Sequence, residues 1–106
     1  MSCICDFCSH PNVGWLYPTR SFVAYIVDGI GGQSVGDWAA CDVCHELIEN
    51  DDRSGLVAHS IDSLIKVHPE FQVAREELLH EMERLHGTFF SSRMGAPINL
   101  VVHSRA

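Results

Sequence analysis

Hydrophobic residues follow two different patterns along the chain, and the first pattern indicates β-strands. Residues 13–40 are rich in aromatic and β-branched side chains, which suit a pleated surface. We predict a hairpin with one strand over residues 21–27 and a returning strand over residues 35–40. The turn between them, residues 28–34, contains three glycines that can adopt positive φ.

From residue 41 onward the apolar residues recur every three or four positions, which indicates helices. The first predicted helix covers residues 41–50, and the second covers about residues 54–68, where Pro69 interrupts it. The third follows Pro69 and ends at Gly87, because glycine is common just after the last turn of a helix. Its apolar stripe consists of Phe71, Ala74, Leu78, Met82 and Leu85.

The C-terminal residues 88–106 are less regular, although residues 98–102 are apolar enough for a short strand or an ordered tail. Phe89, Phe90 and Met94 are unfavourable in water, so we expect them to cover the core or to contact another chain. The sequence thus predicts a single α+β domain over residues 1–106. Its three parts are a β-hairpin with a helix (1–50), a pair of amphipathic helices (51–87) and a C-terminal strand or tail (88–106).

Two Cys-x-x-Cys pairs lie on either side of the predicted hairpin, Cys5 with Cys8 and Cys41 with Cys44. A two-residue spacer lets both sulfurs of a pair face inward on one tight turn, a zinc knuckle, and two knuckles can enclose one tetrahedral ion. Four thiolate ligands leave no coordination position for water or substrate, so such a site is structural. We therefore predict one Zn²⁺ per chain, bound by these four cysteines.

The order of these elements resembles that of a treble-clef zinc finger: a knuckle, a hairpin, and a second knuckle on the first turn of a helix. At that helix N-terminus, free amide groups and the helix dipole would stabilise the thiolates of Cys41 and Cys44. Treble clefs have many unrelated roles, so the resemblance implies a fold and no function. Of the neighbouring residues, we expect Cys3 to be a terminal thiol, His10 to lie in a turn, and His45 to donate a hydrogen bond to a ligand.

Charge and composition exclude several classes of function. The chain has 106 residues, of which 46% are hydrophobic and 20% charged, as in an ordinary folded domain. Its net charge is −7 and its only lysine is Lys66, so binding to phosphate backbones is disfavoured. It has no apolar run of the roughly 20 residues that span a membrane and no signal peptide. We expect a cytoplasmic protein, since reduced thiols there act as metal ligands and not as disulfides.

The histidines form no recognisable catalytic motif. Neither His45 nor His80 is followed by the second histidine of a metalloprotease His-Glu-x-x-His pair. His68 falls on the apolar side of its helix, where we expect a hydrogen-bonded core residue. With no phosphate-binding loop and no nucleophile in a known motif, we predict a protein that is not an enzyme. Convergence of His59, His68 or His80 in one pocket would favour an enzyme instead.

Iron is the alternative metal, because the spacing between the two cysteine pairs is similar to that of rubredoxin, an electron carrier. Rubredoxin knuckles have glycine directly after the second cysteine, so that backbone amides can reach the sulfurs. Here Ser9 and His45 occupy those positions, and the second knuckle enters a helix. These departures favour zinc over iron.

The first half of the chain also carries the segments CDFC at residues 5–8 and GDWAAC at residues 36–41. Together with Tyr17-Pro18, Phe22 and the run Leu47-Ile48-Glu49, they resemble those of a group of small bacterial proteins that share both segments. The resemblance covers about residues 3–57. It implies a zinc-bearing N-terminal module and no particular activity.

The function that the sequence favours is a zinc-stabilised binding or regulatory module. It would present its second and third helices, with Phe89 and Phe90, to a protein partner. An acidic surface would favour a basic partner, and a second copy of the chain is a further candidate. The alternative is a sequence-specific nucleic-acid-binding zinc finger, which requires one basic face formed by Arg20, Arg53, Arg93 and Arg105.

Overall fold

The computed structural model describes residues 4–27, 30–34 and 36–100. It shows the predicted α+β fold, in which small antiparallel sheets precede three α-helices. The strands are β1 (Trp15–Tyr17), β2 (Phe22–Val27), β3 (Ile30–Ser34), β4 (Trp38–Ala40) and β5 (Ile98–Asn99). The helices are α1 (Asp42–Glu49), α2 (Arg53–Val67) and α3 (Arg75–Ser92), and a 3-10 helix (Pro69–Ala74) joins α2 to α3.

The hairpin forms, but the prediction of its returning strand was wrong. β2 pairs with β3, whereas residues 38–40 form β4 and pair with β1. Gly36 explains the difference, because its φ of +84° is a left-handed conformation that interrupts the extended chain between β3 and β4. β1 therefore lies between β4 and β5 in a three-stranded sheet.

The first two helices match their predicted ranges to within two residues. Asp52 caps α2, since its Oδ1 atom accepts a hydrogen bond of 3.0 Å from the backbone N–H of Gly55. Pro69 does follow the end of α2, but it begins a turn of 3-10 helix, and the α-helical conformation starts at Arg75. The two amphipathic helices of the prediction are thus α2 and α3.

The prediction that the third helix ends at Gly87 was wrong, because α3 continues to Ser92. A glycine that ends a helix has positive φ, and among the described glycines only Gly36 and Gly95 have it. Tertiary packing extends the helix, since the added turn carries Phe89 into the core, where its side chain is fully buried. Beyond the helix, Arg93 forms a β-bridge with Thr19.

Aromatic rings form the centre of the core. The ring centroid of Phe89 lies 4.9 Å from that of Phe7, 5.2 Å from that of Trp38 and 5.7 Å from that of Tyr17. Phe90 is half-buried and packs edge-on against Phe89. Phe89 therefore covers the core and is not part of a contact surface, whereas Met94 is exposed.

β5 accounts for the beginning of the predicted C-terminal strand. Ile98 pairs with Leu16, and the backbone N–H of Leu100 donates to the carbonyl oxygen of Gly14 at 2.9 Å. Residues 101–106, which carry the rest of that prediction, lie outside the described residues. In the described part of the chain no helix combines the length and apolarity that crossing a membrane requires.

Candidate metal centre

The four predicted ligands meet at one point of the fold. The Sγ atoms of Cys5, Cys8, Cys41 and Cys44 all lie within 4.8 Å of one another. Three of the four residues are buried and Cys8 is half-buried. Residues from opposite ends of the hairpin therefore form a compact, nearly enclosed cluster of sulfur atoms.

The distance between the Sγ atoms of Cys8 and Cys41 fits a tetrahedral ion. Zinc–sulfur bonds of about 2.3 Å in tetrahedral geometry place neighbouring sulfurs roughly 3.8 Å apart, and the Sγ atoms of Cys8 and Cys41 are 3.6 Å apart. A disulfide would require a distance of about 2 Å, and none of the four cysteines forms one. The cluster can therefore hold one metal ion, and the thiolate donor set is one that zinc prefers.

The first knuckle is a tight turn held by backbone hydrogen bonds. The N–H of Ser9 donates to the carbonyl oxygen of Cys5 at 2.8 Å, and the N–H of Cys5 donates to that of His10 at 2.9 Å. Ser9 has a φ of +65°, the left-handed conformation that favours glycine. Serine here adopts the backbone that a knuckle glycine would adopt, so its presence does not distinguish this knuckle from that of rubredoxin.

The second knuckle begins α1, as predicted. Cys41 is the N-terminal cap of the helix, and its carbonyl oxygen accepts from the N–H of His45 at 2.9 Å. One turn later, Cys44 lies on the buried face of the helix. Gly14, which precedes β1, passes close to this turn, since a Cβ atom there would lie 3.0 Å from Oδ1 of Asp42. This helical knuckle is the feature that separates the site from rubredoxin.

The sulfurs differ in how readily they lose a proton. A hydrogen bond from the Cys44 thiol lowers the pKa of Cys5 to about 4. The same hydrogen bond, burial and the negative charge on Cys5 raise the pKa of Cys44. Burial raises the pKa of Cys8 to about 12. Once Cys5 is a thiolate, another cysteine can lose its proton only if a cation in the cluster offsets the added negative charge. A divalent metal ion provides that cation.

The histidines nearest to the cysteines have other partners. Nδ1 of His45 lies 2.8 Å from the hydroxyl oxygen of Tyr17, and its ring stacks on Trp15 with 3.6 Å between centroids. These contacts join α1 to β1 and do not match the predicted hydrogen bond to a ligand. Nδ1 of His10 accepts from the backbone N–H of Asn12 at 3.1 Å, a local contact that occupies this ring nitrogen. Cys3 lies outside the described residues.

No protein family model, no curated protein sequence and no solved structure matches the chain. The assignment of the site therefore rests on its own geometry.

The expectation that His68 is a core residue was wrong. Its side chain is half exposed, and its Nδ1 lies 3.2 Å from Oε1 of Glu70. α2 ends one residue earlier, and Val67 beside it is also exposed, so the apolar face of the helix does not reach the core there. His59 lies in a cleft with His10 and Cys41, whereas His68 lines another cleft beside Phe7.

The buried histidine is His86, to which the sequence analysis gave no role. It is 2% exposed, and its ring contacts that of Phe7 edge-on at 5.4 Å between centroids. Burial lowers its pKa to about 4, so the imidazole is neutral at pH 7. Within the described part of the chain, neither ring nitrogen has a hydrogen-bond partner. The signal for its burial is its position four residues after Met82 and three before Phe89 on one face of α3.

Proposed function

We propose that the four cysteines hold one structural Zn²⁺ and that the protein is a non-enzymatic module that binds another protein. The zinc assignment is supported by the enclosed cluster of four sulfurs, whose donor set leaves no open coordination position. The observation that carries the binding role is an exposed apolar surface between α2 and α3. Separation of His59 and His68 into different clefts supports a role other than catalysis.

This surface, called here the corner patch, consists of Val67, Phe71 and Val73 around the 3-10 helix. Their exposed fractions are 70%, 39% and 94%, respectively. Single exposed apolar residues are common on proteins, but three within seven residues of one turn are typical of a contact surface. The corner patch therefore replaces Phe89 and Phe90 as the proposed site of contact.

A groove of about 280 Å³ continues the corner patch toward the metal centre. Leu64 and Val67 of α2, Met82 and Leu85 of α3, and Phe7 of the first knuckle contribute its apolar lining. Because Phe7 lies between two of the cysteines, the metal would fix one wall of the groove. In this way zinc would support binding without contacting the partner.

The charge of the protein favours a basic partner. The net charge is −7, and the exposed surface of α3 includes Glu76, Glu77, Glu81 and Glu83. Acidic surfaces steer basic proteins toward them and repel acidic ones. We expect the partner to present an apolar segment with nearby lysines or arginines, and its affinity to fall as the salt concentration rises.

Affinity capture with two variants tests this proposal. The double variant Val67→Asp, Val73→Asp should lose a protein that the natural chain retains, while its zinc content stays at one ion per chain. Met94→Asp provides the matched control, because Met94 is also apolar and 57% exposed but lies away from the corner patch. Identical capture by all three proteins would contradict the proposal. If the retained protein is a second copy of the chain, sedimentation will show a dimer that only the double variant dissociates.

The structure weakens the case for nucleic-acid binding. Arg53 is paired with Asp51 at 3.0 Å, and Arg93 with Glu49 at 3.6 Å. Arg20 also lies near the end of α3, where it donates to the carbonyl oxygen of Ser91. Three of the four arginines considered in the sequence thus lie near the end of α3, but carboxylates offset two of them.

A further inference from the structure

A second cleft, of about 260 Å³, lies between the beginning of α2 and the last turns of α3. Val57 and Phe90 give it apolar walls, and Arg53 and Glu83 contribute opposite charges. The consecutive residues His86 and Gly87 also line it. This α2–α3 cleft shares no residue with the corner patch or with the cysteine cluster.

His86 and Gly87 both lower the stability of the fold at this point. A buried imidazole whose nitrogens lack partners among the described residues loses the hydrogen bonds that water supplies in the unfolded chain. Gly87 lies inside α3, where glycine is a poor helix former. Close packing does not require it, because a Cβ atom at this position would meet no atom within 4 Å.

Two destabilising residues that line one cleft indicate a binding site. Departures from local stability rules are expected chiefly at functional or strained sites, and a buried polar group without a partner requires an explanation, such as a functional role or a bound ion. Gly87 keeps the cleft open, since any larger side chain there would project into empty space. His86 also lines the cleft, and its buried imidazole has no hydrogen-bond partner among the described residues, so it is a polar group that a ligand beside the apolar walls could satisfy.

The lining defines the chemistry of the ligand. Phe90 and Val57 favour a flat apolar body, and the guanidinium of Arg53 already lies over the Phe90 ring at 4.1 Å. A neutral imidazole offers one hydrogen-bond donor and one acceptor. Arg53 is already paired with Asp51 at 3.0 Å, and apolar walls disfavour an ionised group, so the site favours a ligand without net charge. An engineered cavity of about 150 Å³ binds benzene, so this larger cleft has room for one or two rings.

We propose that the α2–α3 cleft binds a small, uncharged aromatic molecule that carries a hydrogen-bonding group, which His86 recognises through a ring nitrogen. Reorientation of the imidazole toward the cleft would let a ligand satisfy a nitrogen that has no partner among the described residues. This inference does not depend on the proposed protein partner, because the two surfaces are separate.

The experiment compares two probes of nearly equal shape on the zinc-loaded, full-length chain. Indole has a ring N–H, whereas indene has the same two fused rings without it. In titrations followed by ¹H–¹⁵N NMR, indole should shift the amide signals of Val57, Gly87 and Phe90 in a saturable way. Indene should bind roughly tenfold more weakly, the effect of one lost hydrogen bond.

Three variants localise the site. Gly87→Leu fills the cleft and should abolish the shifts, whereas Gly87→Ala adds a single methyl group and should retain them. His86→Phe keeps a ring of similar shape without nitrogens and should remove the preference for indole over indene. These comparisons remain informative even if one variant is poorly folded, because Gly87→Ala and His86→Phe test different features.

Three results would overturn the proposal. The first is the absence of saturable shifts at these amides with both indole and the single-ring probe phenol. The second is equal affinity of the natural chain for indole and indene, which would show that His86 does not recognise the ligand. The third is unchanged binding to a folded Gly87→Leu variant, which would place the bound probe outside the cleft.

Discussion

Asp6 and Ala39 exchange two hydrogen bonds that join the two knuckles of the metal centre. The backbone N–H of Asp6 donates to the carbonyl oxygen of Ala39 at 2.8 Å, and the N–H of Ala39 donates to Oδ2 of Asp6 at 2.7 Å. Asp6 follows Cys5 directly, and Ala39 precedes Cys41 by two residues. Protein–protein hydrogen bonds therefore align the two cysteine pairs, and the metal ion alone does not have to bring them together.

Asp6→Ala should destabilise the zinc-loaded protein by about 1–3 kcal/mol, because it leaves the buried N–H of Ala39 without its side-chain acceptor. Asp6→Asn should cost much less, since an amide oxygen can accept the same hydrogen bond. Burial raises the pKa of Asp6, so the carboxylate charge is itself unfavourable in the fold. Urea denaturation of the two variants measures the difference. Equal loss of stability in both variants would mean that the hydrogen bond accepted from Ala39 does not account for the effect of Asp6→Ala.

Removal of the metal should unfold the N-terminal half of the protein. Without a cation, the buried cluster cannot carry the four thiolates that hold the knuckles together, and a domain of this size has a small core. Cys41→Ser should have the same effect as a chelator, whereas Cys3→Ser should retain one zinc ion per chain. Native mass spectrometry counts the ion, and circular dichroism reports the fold. Unchanged dichroism and an unchanged melting temperature after chelation would contradict a structural role.

Gly87→Ala should stabilise the protein by about 1 kcal/mol, because alanine is the better helix former and its Cβ meets no neighbour. Gly36→Ala is the control, and it should lower the stability of the protein. Gly36 has a φ of +84°, a conformation that costs alanine roughly 1–2 kcal/mol. Urea denaturation midpoints of both variants test the pair. A loss of stability in Gly87→Ala would show that the cleft is more tightly packed than the structure indicates.

The cluster of four cysteines could be predicted from sequence because it depends on local spacing. A Cys-x-x-Cys pair forms a knuckle within a few residues, and the apolar period after Cys41 indicates the helix that carries the second pair. The bounds of α1 and α2 follow from the same local pattern. The link between Asp6 and Ala39 could not be predicted, since it joins the first knuckle to a strand 33 residues later in the chain.

The wrong predictions share one cause. Tertiary packing, and not the local sequence pattern, determines where a helix ends and which residues near its end are buried. Gly87 is a local signal for the end of a helix, yet burial of Phe89 one half-turn later outweighs it. His68 occupies an apolar position of its helical pattern, but the helix extends beyond the core there. The true buried histidine, His86, lies on the same apolar face of α3 as Met82 and Phe89. Periodicity could have identified its burial, but not its lack of a hydrogen-bond partner.

The pH dependence of stability provides the sharpest test of the environment of His86. Burial lowers its pKa to about 4, from 6.5 in the unfolded chain. Between these two values the unfolded chain binds a proton that the folded chain does not. The natural protein should therefore lose stability as pH falls from 6.5 to 4, and this loss should be absent above pH 6.5.

His86→Phe removes this titration while keeping a ring in the core, so its stability relative to the natural protein should rise as pH falls. As pH falls from 6.5 to 4, the free energy of unfolding of His86→Phe should rise by roughly 3 kcal/mol relative to that of the natural protein. This free energy corresponds to the difference between the pKa values of His86 in the unfolded and folded chains. Protonation of the cysteines affects both proteins alike, so the difference between them isolates His86, provided that zinc content is measured at each pH. Parallel stability profiles would mean that the imidazole is hydrated or paired in the folded protein, and the fold would then have no unpartnered histidine beside the α2–α3 cleft.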